Sequence, residues 1–504
     1  MERKGILVLN FGGQYAHLIA NRIRRLNVYS EIADPTNEDF ENVCGIILSG
    51  GPASVYDKDA PEFNKKIISL GMPLLGLCYG HQLLAQLIGG KVRQGGKKEY
   101  GTAAVVIDST KGLLEGLSEK ENVWMSHGDI VEQVPAEIIA HSENTPVAAF
   151  CKENFYGIQW HPEVVHTENG MKIFENFVFN ICHCEKNWNA DDFIDKAVEE
   201  IKNSVGDKKC IMALSGGVDS SVAAAIASKI VGKKLTAVFV DNGLMREGEP
   251  EGVKKAFEGY DMNLIIVDVR KRFLSRLKGV KDPEAKRKII GEEFIRVFEE
   301  EAKKVGAKYL LQGTIYPDRI ESGVAKHSDK IKTHHNVGGI PTKIDFEKII
   351  EPLKDLYKDE VREVGIKLGL PKNIVWRQPF PGPGLAVRIE GEVTEKKVEI
   401  IKKADSIVRD EVDKKYENAG EKFWMYFPIL TASKATGVKG DKRFYGDVVA
   451  LRILESKEAM TARFAEVDWK LLEKISTRIT NEIPEVARVV YDITHKPPAT
   501  MEWE

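Results

Sequence analysis

Three residues in the first third of the chain could do nucleophilic chemistry together: Cys78, His161 and Glu163. Cys78 lies in Gly76-Leu77-Cys78-Tyr79-Gly80-His81-Gln82, where an apolar run passes straight into a helical pattern and glycines flank the turn. Such a strand-to-helix elbow exposes a nucleophile, and the following helix N-terminus favours a thiolate. The N–H of Tyr79 is a candidate donor to an oxyanion, and the loop Ser49-Gly50-Gly51-Pro52 offers a second. A cysteine nucleophile needs a base. In Gly157-Ile158-Gln159-Trp160-His161-Pro162-Glu163 a histidine and a carboxylate stand two apart after an apolar run, on the same side of an extended segment. His161 would deprotonate Cys78 while Glu163 orients the imidazole and stabilises its charge. His81 is assigned no chemical role. Cys182-His183-Cys184 reads as packing rather than metal, because adjacent positions rarely close on one ion and no second cluster stands at zinc spacing.

A second constellation follows the apolar run Cys210–Leu214: Ser215-Gly216-Gly217-Val218-Asp219-Ser220-Ser221, then a small, apolar helix over Val222–Ile230. Glycine and serine at a strand-to-helix junction form a backbone nest for phosphate, aided by the helix dipole. No G-x-x-x-x-G-K-[ST] string occurs, so transfer of a terminal phosphoryl group gains no support. The stretch Arg319–Lys343 has little apolar periodicity and reads as a lid over a nucleotide.

These residues need elements to hold them. Strands are expected at Ile6–Leu9, Gly45–Leu48 and Pro73–Leu77, and helices at His17–Leu26, Pro61–Leu70 and Gln82–Ile88. That alternation implies βαβ units and a mostly parallel sheet, with ligands beyond the carboxyl ends of its strands. Asn187–Val205 reads as a connecting helix opening a new domain, with further strands at Leu235–Val240, Asn263–Val267 and Tyr309–Gln312. The basic region holding Lys271, Arg272, Arg276, Lys286, Arg287 and Lys288 reads at least partly as a solvated helix face. Beyond residue 386, helices over Val398–Tyr416 and Trp469–Thr480 accompany strands at Val448–Leu454 and Arg488–Ile493.

The elbow together with His161-Pro162-Glu163 resembles the class I glutamine amidotransferase domain over about residues 4–183. The resemblance implies glutamine hydrolysis through a thioester, with Cys78, His161 and Glu163 as the triad and Gly51 and Tyr79 as the oxyanion hole. Ser126-His127-Gly128-Asp129 matches that family's loop near bound glutamine. Ser215–Ser220 resembles the signature of the ATP pyrophosphatases, which cleave ATP between its α and β phosphates. It implies Mg²⁺ at Asp219 and pyrophosphate cradled by Ser215, Gly216, Gly217, Val218, Ser220 and Ser221. Ammonia release and adenylylation in one chain put nitrogen on a carbon that first carried oxygen. The two chemistries leave open asparagine, NAD or a nucleobase as product.

The order of these motifs narrows the choice. With the hinge Arg377–Arg388, the segment Ile331–Gly339 and the terminus Lys496–Glu504, they resemble the glutamine-hydrolysing GMP synthase family over essentially the whole chain. The resemblance implies XMP, ATP and glutamine as substrates, Arg287, Arg388, Arg488, Lys496 and Glu502 at or near XMP, and support of adenylylation by Asp318, Glu321, Lys332 and His334 of the lid and by Lys358. The expected fold is α/β: a class I glutamine amidotransferase domain over 1–186, a Rossmann-like ATP pyrophosphatase domain with a parallel sheet over 187–385, and a small α+β dimerisation domain over 386–504 that makes a homodimer.

Composition bounds these readings. A chain of 504 residues suits three to five domains. Its 73 basic and 76 acidic residues give a net charge of −3, which argues against a nucleic-acid binder. No apolar run reaches the roughly 20 residues of a membrane span, and the N-terminus lacks a signal-peptide pattern, so the chain reads as cytoplasmic. Six scattered cysteines do not form a disulfide framework.

Overall fold

The computed structural model describes residue 1 and residues 3–318, 346–416, 419–456 and 461–504. The expected lid, with Glu321, Lys332 and His334, lies outside the described residues. The chain divides into two compact units, one ending at Asp192 and the other starting at Phe193.

The first unit is built on a nine-stranded sheet of β1 (Gly5–Leu9), β2 (Tyr29–Ala33), β3 (Val43–Leu48), β4 (Leu74–Leu77), β5 (Lys91–Ile107), β6 (Lys120–Gln133), β7 (Glu137–His141), β8 (Ala149–Lys152) and β9 (Phe155–Ile158). The order is β2-β1-β3-β4-β9-β8-β7-β5-β6. From β2 to β9 every pairing is parallel. From β9 onward every pairing is antiparallel. The parallel half is fully buried at β1 and β4, as strands covered on both faces must be. Helix α1 (Ala16–Arg25) buries Leu18, Ile19 and Ile23. Helix α2 (Tyr79–Leu87) is buried over its first seven residues, which explains why its sequence is apolar or uncharged on every side. The helix expected over Pro61–Leu70 is only a short 3₁₀ turn, Lys65–Ser69. Ile67 is fully buried there, while Phe63, Ile68 and Leu70 pack partly buried against the same core without a longer helix.

The second unit holds a parallel sheet of β10 (Cys210–Ala213), β11 (Leu235–Asp241), β12 (Asn263–Asp268), β13 (Tyr309–Leu311) and β14 (Lys348–Ile350). Its order, β12-β11-β10-β13-β14, reverses direction beside β10, the switch point at which doubly wound sheets bind nucleotides. The helix after β10 runs over Val218–Val231 with Gly217 as its N-cap. It starts one turn before the expected Val222, so Val218–Ser221 form its first turn. A second sheet pairs β15 (Met425–Lys439) with β16 (Lys442–Glu455) and β16 with β17 (Arg463–Phe464), all antiparallel, and β18 (Val486–Tyr491) joins β16 in parallel. The helix Glu395–Lys415 is capped by Thr394 and the helix Trp469–Glu482 by Asp468. One apolar cluster runs from Ile211 and Val238 through Leu385 and Ile401 to Val449 and Ile475. Among the described residues, no helix is long and apolar enough to cross a membrane.

Candidate active sites

The elbow in the first unit is built by close approach. A Cβ on Gly76 would stand 2.3 Å from the Gly80 carbonyl oxygen, and one on Gly80 would stand 2.3 Å from that of Leu48. Glycine at both places lets the turn close. Cys78 carries the strain, with φ 54° and ψ −103°. Such backbone costs roughly 1–3 kcal/mol and persists only where its surroundings hold it. Here the Cys78 N–H donates to the Ile158 carbonyl at 2.8 Å, locking the elbow to the end of β9. The chain leaving β9 carries His161, whose Nδ1 lies 2.7 Å from Glu163 Oε1.

Cys78 and His161 lie side by side: a Cβ on Gly50 would touch both, at 3.7 Å from Cys78 Cβ and 3.3 Å from His161 Cε1. Burial alone would lower the His161 pKa. The Glu163 carboxylate and the Cys78 thiolate outweigh it and raise the imidazole to about 10. The favoured form of His161 is therefore the imidazolium. Gly51 packs against Tyr79, a Cβ there meeting the tyrosine ring at 3.4 Å. Tyr79 opens α2, whose first N–H groups have no partner within the helix.

Tyr15, Arg22 and Thr167 support this set and escaped the sequence reading. Tyr15 sets its ring edge-on to His161 at 5.1 Å between centroids. Arg22 Nε donates to the Glu163 carbonyl at 2.9 Å. Thr167 Oγ1 donates to the His161 carbonyl, and His161 N–H donates to that of Trp124. The His127 ring nitrogens lie 3.1 Å from Glu99 Oε2 and 3.0 Å from the Asp129 carbonyl, and burial lowers its pKa against the pull of Glu99. That anchors the loop whose Ser126 carbonyl lies 3.6 Å from Cys78 Sγ. Asp129 accepts from Ser54 Oγ at 2.5 Å and Tyr56 Oη at 2.8 Å. His81, given no role, is fully buried beside the Val147 carbonyl, and burial drives its pKa down to about 3. The one sequence signal for Arg22 is its place beside the buried Ile19 and Ile23 of α1.

In the second unit, Gly216 has φ 74°, which glycine supplies without strain. Ser220 Oγ accepts from Ser215 N–H at 3.2 Å and lies 3.0 Å from Ser215 Oγ. Ser221 is fully buried and its hydroxyl finds no hydrogen-bond partner among the described residues. Asp219 Oδ2 accepts from Lys358 Nζ at 3.1 Å, while its Oδ1 is buried without a hydrogen-bond partner among the described residues. The Gly216 carbonyl accepts from Arg377 Nη1 at 2.5 Å. Arg377 also pairs with Glu249, and burial lowers its pKa to about 9. Asp318 Oδ2 accepts from Ile315 N–H at 3.3 Å, closing the turn after β13.

Three of the five expected XMP residues meet at the chain's end. Arg388 is fully buried and grips the Glu502 carboxylate through Nε at 3.1 Å and Nη2 at 2.9 Å. Its guanidinium also stacks 4.0 Å from the Phe427 ring centroid. Arg287 donates to the Glu504 carbonyl. Arg488 is exposed on β18, and the Lys496 backbone pairs with that of Ala462. Lys286 is not a solvated charge: it is fully buried and donates to the Ile389 carbonyl at 2.6 Å and to Glu504. The contact that buries it joins residues 218 positions apart, beyond any local pattern.

Comparison with known proteins agrees along the chain. The family model "Glutamine amidotransferase class-I" matches residues 7–181, "NAD synthase" matches 189–294, and "GMP synthase C terminal domain" matches 411–503. The protein named "GMP synthase [glutamine-hydrolyzing]" from Caldicellulosiruptor saccharolyticus is 53% identical, with all of both chains covered. Proteins of the same name from Caldanaerobacter subterraneus and Clostridium kluyveri are 52% and 51% identical, again over the whole of both chains.

Proposed function

The chain belongs to the glutamine-hydrolysing GMP synthase family, and from that premise we propose which of its residues carry out each step. The protein aminates XMP to GMP, using ammonia from glutamine and cleaving ATP to AMP and pyrophosphate. The observation that carries the residue assignment is the joining of Cys78, His161 and Glu163 at a strained elbow.

Cys78 is the nucleophile. Its thiolate attacks the glutamine carboxamide carbon, and the N–H groups of Tyr79 and Gly51 receive the developing oxyanion. His161, already protonated, gives its proton to the departing ammonia. It then takes a proton from the water that hydrolyses the thioester. Glu163 holds the imidazole by its Nδ1 and stabilises the charged ring. The backbone and hydroxyls of residues 215–221 cradle pyrophosphate at the switch point. The Asp219 carboxylate oxygen, buried without a hydrogen-bond partner among the described residues, fits a divalent cation, so Asp219 with the substrate phosphates would hold Mg²⁺. Bound there, Mg²⁺ supplies charge neutralisation during α–β cleavage.

Lys358, which neutralises Asp219, is placed to follow the phosphate charge. Asp318, Glu321, Lys332 and His334 support adenylylation of the XMP oxygen. Arg287, Arg388, Arg488, Lys496 and Glu502 serve XMP, whose phosphate suits arginine and lysine. Residues 1–186, 187–385 and 386–504 act as amidotransferase, synthetase and dimerisation domains of a cytoplasmic homodimer.

The assignment is tested by acid-quenching the enzyme during turnover and mapping the protein by mass spectrometry. A glutamyl adduct on Cys78 is expected. An adduct on another cysteine, or glutamine hydrolysis with Cys78 fully alkylated, would remove Cys78 from the role.

A further inference from the structure

Cys182-His183-Cys184 takes no part in either chemistry, yet the fold brings it to a third cysteine in the first unit. Strands β1 and β3 pair Gly5 with Val43 and then Ile6 with Gly45, so Cys44 is the extra residue of a β-bulge. A bulge leaves its extra residue out of the ladder and re-aims its side chain. At the other end of the unit, His183 has φ 50°, a conformation that non-glycine residues rarely adopt. The chain turns there so that His183 is exposed while Cys182 and Cys184 are both buried. Cys184, two residues on from Cys182, lies close enough to Cys44 for the two thiols to perturb one another's ionisation. Cys182 packs beside them, its Sγ only 2.3 Å from where a Cβ on Gly45 would stand. Cys44 is partly exposed. Among the described residues, no group of three potential ligands is arranged to hold a metal ion.

We propose that Cys44 and Cys184 form a reversible disulfide, with small-molecule disulfides such as oxidised glutathione as the oxidant. The arrangement is that of an accessible attacking thiol beside a buried resolving one. The neighbouring Cys184 thiol, helped by the Lys4 charge, outweighs burial and brings the Cys44 thiol down to about 7. The neighbouring Cys44 thiol and burial push Cys184 up, and burial does the same to Cys182.

The Cys44 thiolate attacks one sulfur of the oxidant, breaks its S–S bond and expels a small thiolate, leaving a mixed disulfide on Cys44. Cys184 then loses its proton and attacks Cys44 Sγ, expelling the second small thiolate. Two protein thiols are oxidised, one small disulfide is reduced to two thiols, and the two protons pass from the cysteines to the leaving groups. The bond ties the start of β3 to the segment just before Asn187 and Trp188, whose N–H groups both donate to the Asn27 carbonyl.

The test uses the full chain in the Cys78→Ala background, which removes the competing nucleophile. After incubation with oxidised glutathione at neutral pH, non-reducing peptide mapping should show Cys44 joined to Cys184. The mass should fall by two hydrogens, and dithiothreitol should restore it. Adding Cys184→Ser should instead trap glutathione on Cys44, and adding Cys44→Ser should leave Cys184 unmodified. A link from Cys44 to Cys182, a stable glutathione adduct on Cys44 with Cys184 free, or no reaction at Cys44 would each overturn the proposal.

Discussion

The two candidate sites differ in how their charges are satisfied. At the amidotransferase elbow the ionisable groups answer one another, Glu163 with His161 and His161 with Cys78, and only the second oxygen of the Glu163 carboxylate in that triad is buried without a hydrogen-bond partner among the described residues. Main-chain bonds from Arg22, Trp124 and Thr167 fix that set in place. At the phosphate loop the charges are left incomplete. Among the described residues, Asp219 keeps one buried oxygen and Ser221 a buried hydroxyl without a hydrogen-bond partner. Buried polar atoms without partners are costly, and at a ligand site the ligand is what completes them. The first site is thus preorganised by its own chain, whereas the second is organised for groups that substrates bring.

The largest predicted effect breaks the symmetry between the two. Asp219→Ala should lower synthesis on the order of 10³-fold or more with either glutamine or free ammonia, because both routes use the adenylylated intermediate. Retained synthesis from ammonia would remove Asp219 from the metal role. Glu163→Gln comes next. It should cost glutamine hydrolysis about 10²-fold or more, lower the His161 pKa and leave ammonia-driven synthesis unchanged. A pH profile of thiol alkylation at Cys78 would read the shift, and an unaltered profile would contradict the charge pairing. Glu504→Gln should act more mildly, raising the KM for XMP about tenfold with kcat nearly constant, since it leaves Lys286 buried with a weaker partner. A change in kcat alone would place the tail elsewhere in the mechanism.

The smallest effect is on stability. His81 is held at about 3 against an ordinary 6.5, so the unfolded chain takes up the proton first. Its contribution is present above pH 6.5 and is lost as pH falls towards 3. His161 is raised to about 10, so its contribution is complete below pH 6.5 and is lost as pH rises through 10. The melting midpoint of the first unit should therefore fall on both sides of neutrality. In Glu163→Gln the alkaline fall should move to lower pH, and an unchanged alkaline limb would argue against the paired imidazolium.

The same contrast explains what could be read from the sequence. Cys78, His161 and Glu163 stand in two short motifs whose residue types state their chemistry, and the parallel strands β1, β3 and β4 show as apolar runs. Tyr15 and Arg22 could not be read in the same way. One acts through an edge-on ring contact and the other through a donor to a main-chain carbonyl, and neither contact leaves a spacing. Lys286 looked solvated among its basic neighbours because the carboxylate that buries it lies at the far end of the chain. The early start of the helix Val218–Val231 was hidden because Val218–Ser221 serves both as loop motif and as first helical turn. The missing helix at Pro61–Leu70 shows the opposite error, an apolar spacing whose residues reach the core from a short 3₁₀ turn instead of a longer helix.

The central claim is that ammonia production and amination are separable chemistries, assigned to Cys78 and to the 215–221 loop. The most direct measurement gives wild-type and Cys78→Ala enzyme XMP, ATP, Mg²⁺, amide-¹⁵N glutamine and unlabelled ammonia, and reads the label in GMP by mass spectrometry. The account predicts labelled GMP from the wild type and unlabelled GMP at a comparable ammonia-driven rate from Cys78→Ala, with AMP formed in both. Labelled GMP from Cys78→Ala, or no GMP from it at all, would contradict the claim.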